Sequence, residues 1–222
     1  MTYEILGSTL PVALCRLENG ESIVCEKGSM SWMSDKMKMQ TNAGGSFGKM
    51  LTRAISGESI FQNVYTATGG EGEIAFASSF PGKILAVDVS EKPIVAQKSA
   101  FLACESNVIL DLFFQRKLSI GFFGGEGFIM QKFSGSGIVF LEIDGSCVEY
   151  ELAAGESMLI DTGYIAAMDE TCKIEIEAVK GVGNKLFGGE GFFNTRVSGP
   201  GHIWLQSMPK SKLAALFSPQ ST

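Results

Sequence analysis

Short stretches in which apolar and polar residues alternate dominate the chain, and turns rich in glycine separate them. Residues 127–133 and 191–197 interchange apolar and polar side chains at a period of two, as expected for half-buried strands. Asn19-Gly20 and Asp144-Gly145 end two such stretches, and these dipeptides favour two-residue hairpins because both positions take a positive φ. The pattern therefore predicts an all-β protein with hairpins at these two turns.

A helical pattern is clearest in one short insert, residues 46–56. Its apolar residues fall at i, i+3, i+4, i+7 and i+8 and so line one face of a helix; they are Phe47, Met50, Leu51, Ala54 and Ile55. We expect a short amphipathic helix inside an otherwise β protein.

The chain repeats itself. The six residues Phe-Gly-Gly-Glu-Gly-Phe occur at 123–128 and again at 187–192, and a fainter copy begins at Gly57. Repetition at this spacing predicts three similar units, at 1–80, 81–146 and 147–209, followed by a tail at 210–222. The recurring residues are interpreted as structural turn residues: Glu58, Gly125, Glu126, Gly127, Gly189, Glu190 and Gly191. Acid–base catalysis needs two carboxylates that converge on one bond, whereas symmetric repeats distribute them around the molecule.

The order and spacing of these motifs resemble a family of uncharacterised proteins known for altered inheritance of mitochondria. The resemblance rests on residues 57–61, 125–128, 134–137 and 189–192 and covers most of residues 3–209. It implies three fused short double-stranded β-helices, each similar to the subunit of the tryptophan RNA-binding attenuation protein. It further implies a homotrimer whose nine units form a ring, and it brings no biochemical activity.

Composition points towards self-association. Charged residues make up 19% of the 222 residues and hydrophobic ones 45%, yet no apolar run reaches the length of a membrane span. We expect part of the apolar surface to lie in subunit contacts. The net charge of −6 disfavours RNA, which is bound through Lys and Arg on a basic surface. Five widely spaced cysteines and an N-terminus without signal-peptide character predict a reduced, cytoplasmic protein.

Candidate chemistry is sparse. His202 is the single histidine, so the multi-histidine metal site of a cupin cannot form, and no cofactor is expected. The stretch from Gly44 to Gly48 matches the Gly-x-Ser-x-Gly pattern of a hydrolase elbow. It lacks the alternating strands and helices of that fold, and a flexible loop is favoured. The sequence predicts no catalytic residue and no enzyme.

One basic, methionine-rich segment is the candidate contact for a partner or a membrane surface. Its candidate residues are Lys36, Lys38, Phe47, Lys49, Met50, Leu51 and Arg53. The alternative is that its apolar side chains pack at a subunit interface.

The favoured function is a non-enzymatic, homo-oligomeric scaffold or interaction protein. The alternative is a small-molecule or RNA-binding protein that uses clefts between subunits, by analogy with the attenuation protein.

Overall fold

The structure, a computed structural model, describes residues 1–40, 62–116, 127–178 and 193–210. These residues form an all-β fold, as the alternating pattern predicts. The predicted helical insert at 46–56 lies outside the described residues. The strands are β1 Thr2–Leu6, β2 Val12–Leu17, β3 Ser22–Glu26, β4 Trp32–Met33, β5 Met37–Gln40, β6 Gln62–Ala67, β7 Gly72–Ala77, β8 Gly82–Asp88, β9 Ile94–Gln97, β10 Phe101–Glu105, β11 Val108–Arg116, β12 Phe128–Gly135, β13 Ile138–Asp144, β14 Cys147–Leu152, β15 Ser157–Asp161, β16 Ile165–Asp169, β17 Lys173–Ala178, β18 Phe193–Ser198 and β19 Gly201–Gln206.

These strands form four antiparallel sheets. Sheet A has the order β1-β2-β7-β4, and sheet D has the order β15-β18-β17. The other two sheets have six strands each: sheet B, β5-β6-β3-β10-β13-β8, and sheet C, β11-β12-β9-β16-β19-β14.

The pairings recur with a period of six strands. Strands β2–β7, β8–β13 and β14–β19 form three sets of six, which we call the first, second and third strand sets. Within each set, the first strand pairs with the sixth strand and the second strand pairs with the fifth. The third strand pairs with the sixth, and the fourth with the fifth. Neighbouring sets are joined by β3 with β10 and by β9 with β16. Each of these junctions completes a six-stranded sheet.

Three hydrophobic cores lie between successive sheets. Buried Phe76 of sheet A packs with Phe140 of sheet B, and Phe101 of sheet B packs with Phe133 of sheet C. Phe128 of sheet C belongs to the core shared with sheet D. The phenylalanines therefore fill the spaces between the sheets, where burial of large apolar side chains stabilises the fold most.

Two details of the strand prediction are corrected. Asn19-Gly20 and Asp144-Gly145 do form turns with a positive glycine φ, at +91° and +78°. They are not hairpins, because β2 and β3 lie in different sheets and β14 does not pair with β13. The alternating exposure predicted for 127–133 is also wrong in part. Gln131 is buried, since β12 is covered on both faces by neighbouring cores.

Candidate functional site

Two strand edges differ from their counterparts elsewhere in the chain. Within the described residues, β4 is an end strand that pairs only with β7, and β15 is an end strand that pairs only with β18. Their counterparts, β10 and β16 for β4 and β3 and β9 for β15, all sit inside six-stranded sheets. Unpaired backbone edges are sites where another strand can add.

Both edges carry large apolar side chains in contact with solvent. Trp32 and Met33 of β4 are 49% and 38% exposed, and Leu159 of β15 is 51% exposed. The equivalent residues at the two junctions are buried. Met33 pairs with Ile74 of the sixth strand of its set. Cys104 of β10 and Met168 of β16 hold the equivalent position, where they pair with Val139 and Ile203, and both are buried. The exposure on β4 and β15 is therefore a property of these two unpaired edges.

A repeated hydrogen bond fixes this equivalence independently of the pairings. The side chains of Ser34, Glu105 and Asp169 come directly after the matched positions and accept a bond from the sixth strand. The donors are the backbone amides of Glu73, Ile138 and His202, at 3.0, 2.8 and 2.7 Å. The short strand β4 thus occupies the same position as β10 and β16.

A cluster of polar groups lies just after the C-terminal strand β19. Lys210 Nζ donates to Ser79 Oγ at 2.8 Å and to Glu142, and it lies 3.7 Å from Asp144 Oδ1. Both carboxylates are almost fully buried, at 3% and 5% exposure. Burial raises the pKa of Asp144 to about 6, although Lys210 opposes that shift. For Glu142, burial also raises the pKa, but the hydrogen bonds and charge of Lys210 and the bonds from Ser79 outweigh burial and lower it.

This cluster ties the C-terminal segment to the connection between the first and second strand sets. Lys210 is 40% exposed, and its amine lies beside both buried carboxylates. We regard the cluster as a structural clasp. Sequence patterns do not indicate this cluster, because its members come from three distant stretches of the chain.

Two residues of the predicted partner or membrane contact, Lys36 and Lys38, lie in the described part of the chain. Lys36 and Lys38 are exposed at the start of the edge strand β5, while Met37 between them is buried. Phe47, Lys49, Met50, Leu51 and Arg53 lie outside the described residues. The role of this segment in binding a partner or a membrane stays a prediction.

Among the predicted turn residues, Gly127 is described, and its φ of +85° suits the structural role expected of glycine there. The other six, Glu58, Gly125, Glu126, Gly189, Glu190 and Gly191, lie outside the described residues, as does the Gly44–Gly48 stretch. His202 lies on β19, stacked on Trp204 with ring centres 6.0 Å apart.

The remaining candidate groups are metal ligands and thiols. Within the described ranges no three His, Cys, Asp or Glu side chains come together as metal ligands would. All five cysteines are free thiols, and burial raises the pKa of Cys15 and of Cys25 to about 12. These two thiols are therefore poor nucleophiles at neutral pH. No helix in the described part of the chain is long and apolar enough to cross a membrane.

The described residues define an all-β protein of recurring strand pairings, in which the end strands β4 and β15 carry exposed apolar side chains. The chain belongs to the family described as mitochondrial biogenesis AIM24, whose model matches residues 3–208. This confirms the family resemblance seen in the repeat motifs.

Two relatives come from Streptococcus pyogenes. One is an uncharacterised protein of a serotype M6 strain, 29% identical over 213 residues that cover 92% of this chain and 84% of the relative. The other is a structural-genomics crystal structure with a TM-score of 0.78 and 26% identity, covering 97% of each chain. The family and these relatives carry no established biochemical function.

Proposed function

We propose that this chain is a non-enzymatic scaffold that assembles head to tail, with β15 of one copy pairing with β4 of the next. The observation that carries the proposal is that sheets D and A correspond to the two halves of the six-stranded sheets B and C. Joined through β15 and β4, they would have the order β17-β18-β15-β4-β7-β2, with β1 outermost. Sheets B and C have the same order of equivalent strands.

The internal junctions also supply the register. Cys104 is opposite Val24 in one junction, and Met168 is opposite Val95 in the other. The same register places Met33 of one copy opposite Leu159 of the next. Both side chains would leave water on assembly, and burying an apolar side chain of this size contributes about 1.5–3 kcal/mol.

The third junction is not an identical copy of the other two. Trp32 stands where the internal junctions have Ala103 and Ala167, and its predicted partner is Ile160 rather than Cys25 or Ala96. These larger residues make the contact between copies more apolar than the internal junctions. A contact that must hold separate chains together needs this additional burial to offset the loss of translational freedom.

Within this proposal the strand sets are three tandem double-stranded β-helix units, with boundaries near residues 80 and 146. A ring of nine units from three chains agrees with the family resemblance and with the low charge content. Closure of such a ring leaves no β4 or β15 edge open to aggregation. A cytoplasmic location is supported by the five free thiols.

Light scattering of the purified protein tests the proposal. We expect a particle of about 71 kDa, three times the chain mass of 23.8 kDa. Leu159→Lys should reduce it to a monomer, because the lysine would face an apolar edge. Ile109→Lys is the matched control, since Ile109 is 50% exposed on another edge strand, β11, that has no role in the junction. A wild-type monomer, or equal dissociation by both variants, would overturn the proposal.

A further inference from the structure

Strand β14 is an end strand of sheet C, and its apolar side chains are exposed. Within the described residues it pairs only with β19. Val148 and Tyr150 lie opposite Leu205 and Ile203, on the face of the core shared with sheet D, and are 44% and 43% exposed. An open strand edge with exposed apolar side chains is a site where an extended chain can add as a further strand.

The equivalent residues in the other two strand sets are less exposed. Tyr150 pairs with Ile203 of the sixth strand. Cys15 of β2 and Val87 of β8 hold the same position, since they pair with the matching residues of their own sixth strands. Cys15 is fully buried and Val87 is partly buried. Exposure at this position therefore increases from the first set to the third.

Strand β1 shows how the same edge is covered in the first set. It pairs antiparallel with β2, which is the counterpart of β14. Tyr3 lies opposite Cys15, and Ile5 lies opposite Ala13, which is also fully buried. A strand in this register beside β14 would place two alternate apolar side chains opposite the two exposed apolar residues of β14. No strand of the described ranges holds that place.

The other face of β14 carries charges that select the added strand. Glu149 and Glu151 are exposed, and His202 Nε2 is 4.0 Å from Glu151 Oε1, beyond hydrogen-bond distance. In the register of β1 these two glutamates face the positions of Glu4 and Thr2. A strand with the sequence of β1 would place a carboxylate opposite Glu149, and like charges directly opposite each other destabilise a strand pair. Lys or Arg at both positions would instead be attracted.

We propose that β14 binds an extended segment of another protein, in which Lys or Arg alternates with large apolar residues, as an added antiparallel strand of sheet C. Its apolar side chains cover Val148 and Tyr150, and its basic side chains face Glu149 and Glu151. Backbone hydrogen bonds to the edge supply affinity, and the alternate side chains supply specificity. The site goes beyond the scaffold function and does not depend on it, because β14 takes no part in the junction of β15 with β4.

A synthetic peptide, acetyl-Thr-Lys-Tyr-Lys-Ile-Thr-amide, tests the site by calorimetry with the full-length protein. In the register of β1 its two lysines face Glu151 and Glu149. The acidic peptide acetyl-Thr-Glu-Tyr-Glu-Ile-Thr-amide has the same apolar residues. We expect saturable binding of the basic peptide with a Kd below about 1 mM, at least tenfold tighter than that of the acidic one. Salt at about 0.5 M should reduce this difference, because exposed charges are screened. No saturable binding of the basic peptide, or equal binding of the two, overturns the proposal.

Charge reversal on the edge separates this site from general attraction to an acidic protein. Glu149→Lys combined with Glu151→Lys should make the protein prefer the acidic peptide. Glu4→Lys combined with Glu175→Lys is the matched control, because it changes the net charge equally at exposed positions of the edge strands β1 and β17, and it should keep the preference for the basic peptide. Tyr150→Ser should weaken binding of the basic peptide at least threefold.

The two double variants also decide between a peptide and a second copy of this chain. The same preference in both variants refutes the assignment to β14. If reversal at Glu149 and Glu151 lowers the particle mass in light scattering, a second copy covers the edge, and the proposal is overturned.

Discussion

Asp144 offers a test of the buried clasp, because its ionised carboxylate destabilises the folded state. Burial raises its pKa from 3.8 to about 6. Because the folded state binds this proton more tightly than the unfolded state, stability falls as pH rises from about 4 to about 6 and the penalty is complete above that. The difference between a pKa of 3.8 and one of about 6 corresponds to about 3 kcal/mol of lost stability at neutral pH.

Asp144→Asn removes this charge at almost constant shape. Asp144 Oδ2 accepts from the Lys210 amide at 3.3 Å, and the asparagine oxygen can keep that bond. The Oδ1 atom has no hydrogen-bond partner among the described residues, so an amide placed there would lack an acceptor, at a cost of about 1–2 kcal/mol. The net effect at neutral pH should be a stabilisation of about 1–2 kcal/mol.

Urea unfolding at pH 4.5 and at pH 7.5, at one fixed protein concentration, measures the effect. The stability of Asp144→Asn relative to the parent should increase by about 2 kcal/mol between the two pH values, because only the parent carries the titrating carboxylate. Glu149→Gln, at an exposed position of β14, is the control and should show no such increase. A difference between Asp144→Asn and the parent that is the same at both pH values would refute the reasoning.

Three further substitutions test the Lys210 cluster and the packing around a glycine. Lys210→Met leaves Glu142 and Asp144 without their cation and should destabilise the fold at neutral pH by about 1–3 kcal/mol, less than for a fully buried pair because Lys210 is 40% exposed. Its loss should shrink in the Asp144→Asn background, and equal losses in both backgrounds would contradict a shared cluster. Gly201→Ala should cost about 2–4 kcal/mol in thermal or urea unfolding, because its φ is +144° and a Cβ atom would lie 2.8 Å from Cys172 Sγ. Gly20→Ala also has a positive φ but nothing within 4 Å, so it should cost only about 1 kcal/mol, and an equal cost for both would contradict the packing argument.

The sequence predicts the all-β class because alternation and glycine turns are local properties that the sheets preserve. It does not predict sheet partners. Asn19-Gly20 has the composition of a hairpin turn, yet in this fold the chain crosses there from one sheet to another, and the same dipeptide serves both geometries.

Sequence patterns also do not predict that apolar side chains of β4 and β15 are exposed to solvent. Trp32, Met33 and Leu159 are apolar like the core residues around them. Only the pairing of equivalent strands reveals that β4 and β15 have no neighbouring strand on one side in the described part of the chain. Gln131 shows the reverse case, since a polar residue that alternation assigns to solvent is enclosed between two cores. Both errors arise because burial depends on which sheets stack, and that is set by contacts between distant parts of the chain.

Head-to-tail assembly is tested most directly by mixing two edge variants. Met33→Lys disables β4 and retains a competent β15, while Leu159→Lys disables β15 and retains β4. Each variant alone should be a monomer of about 24 kDa, and the equimolar mixture should form a one-to-one dimer of about 48 kDa by light scattering. A mixture that stays monomeric, or a single variant that dimerises by itself, would contradict pairing between β15 of one copy and β4 of the next.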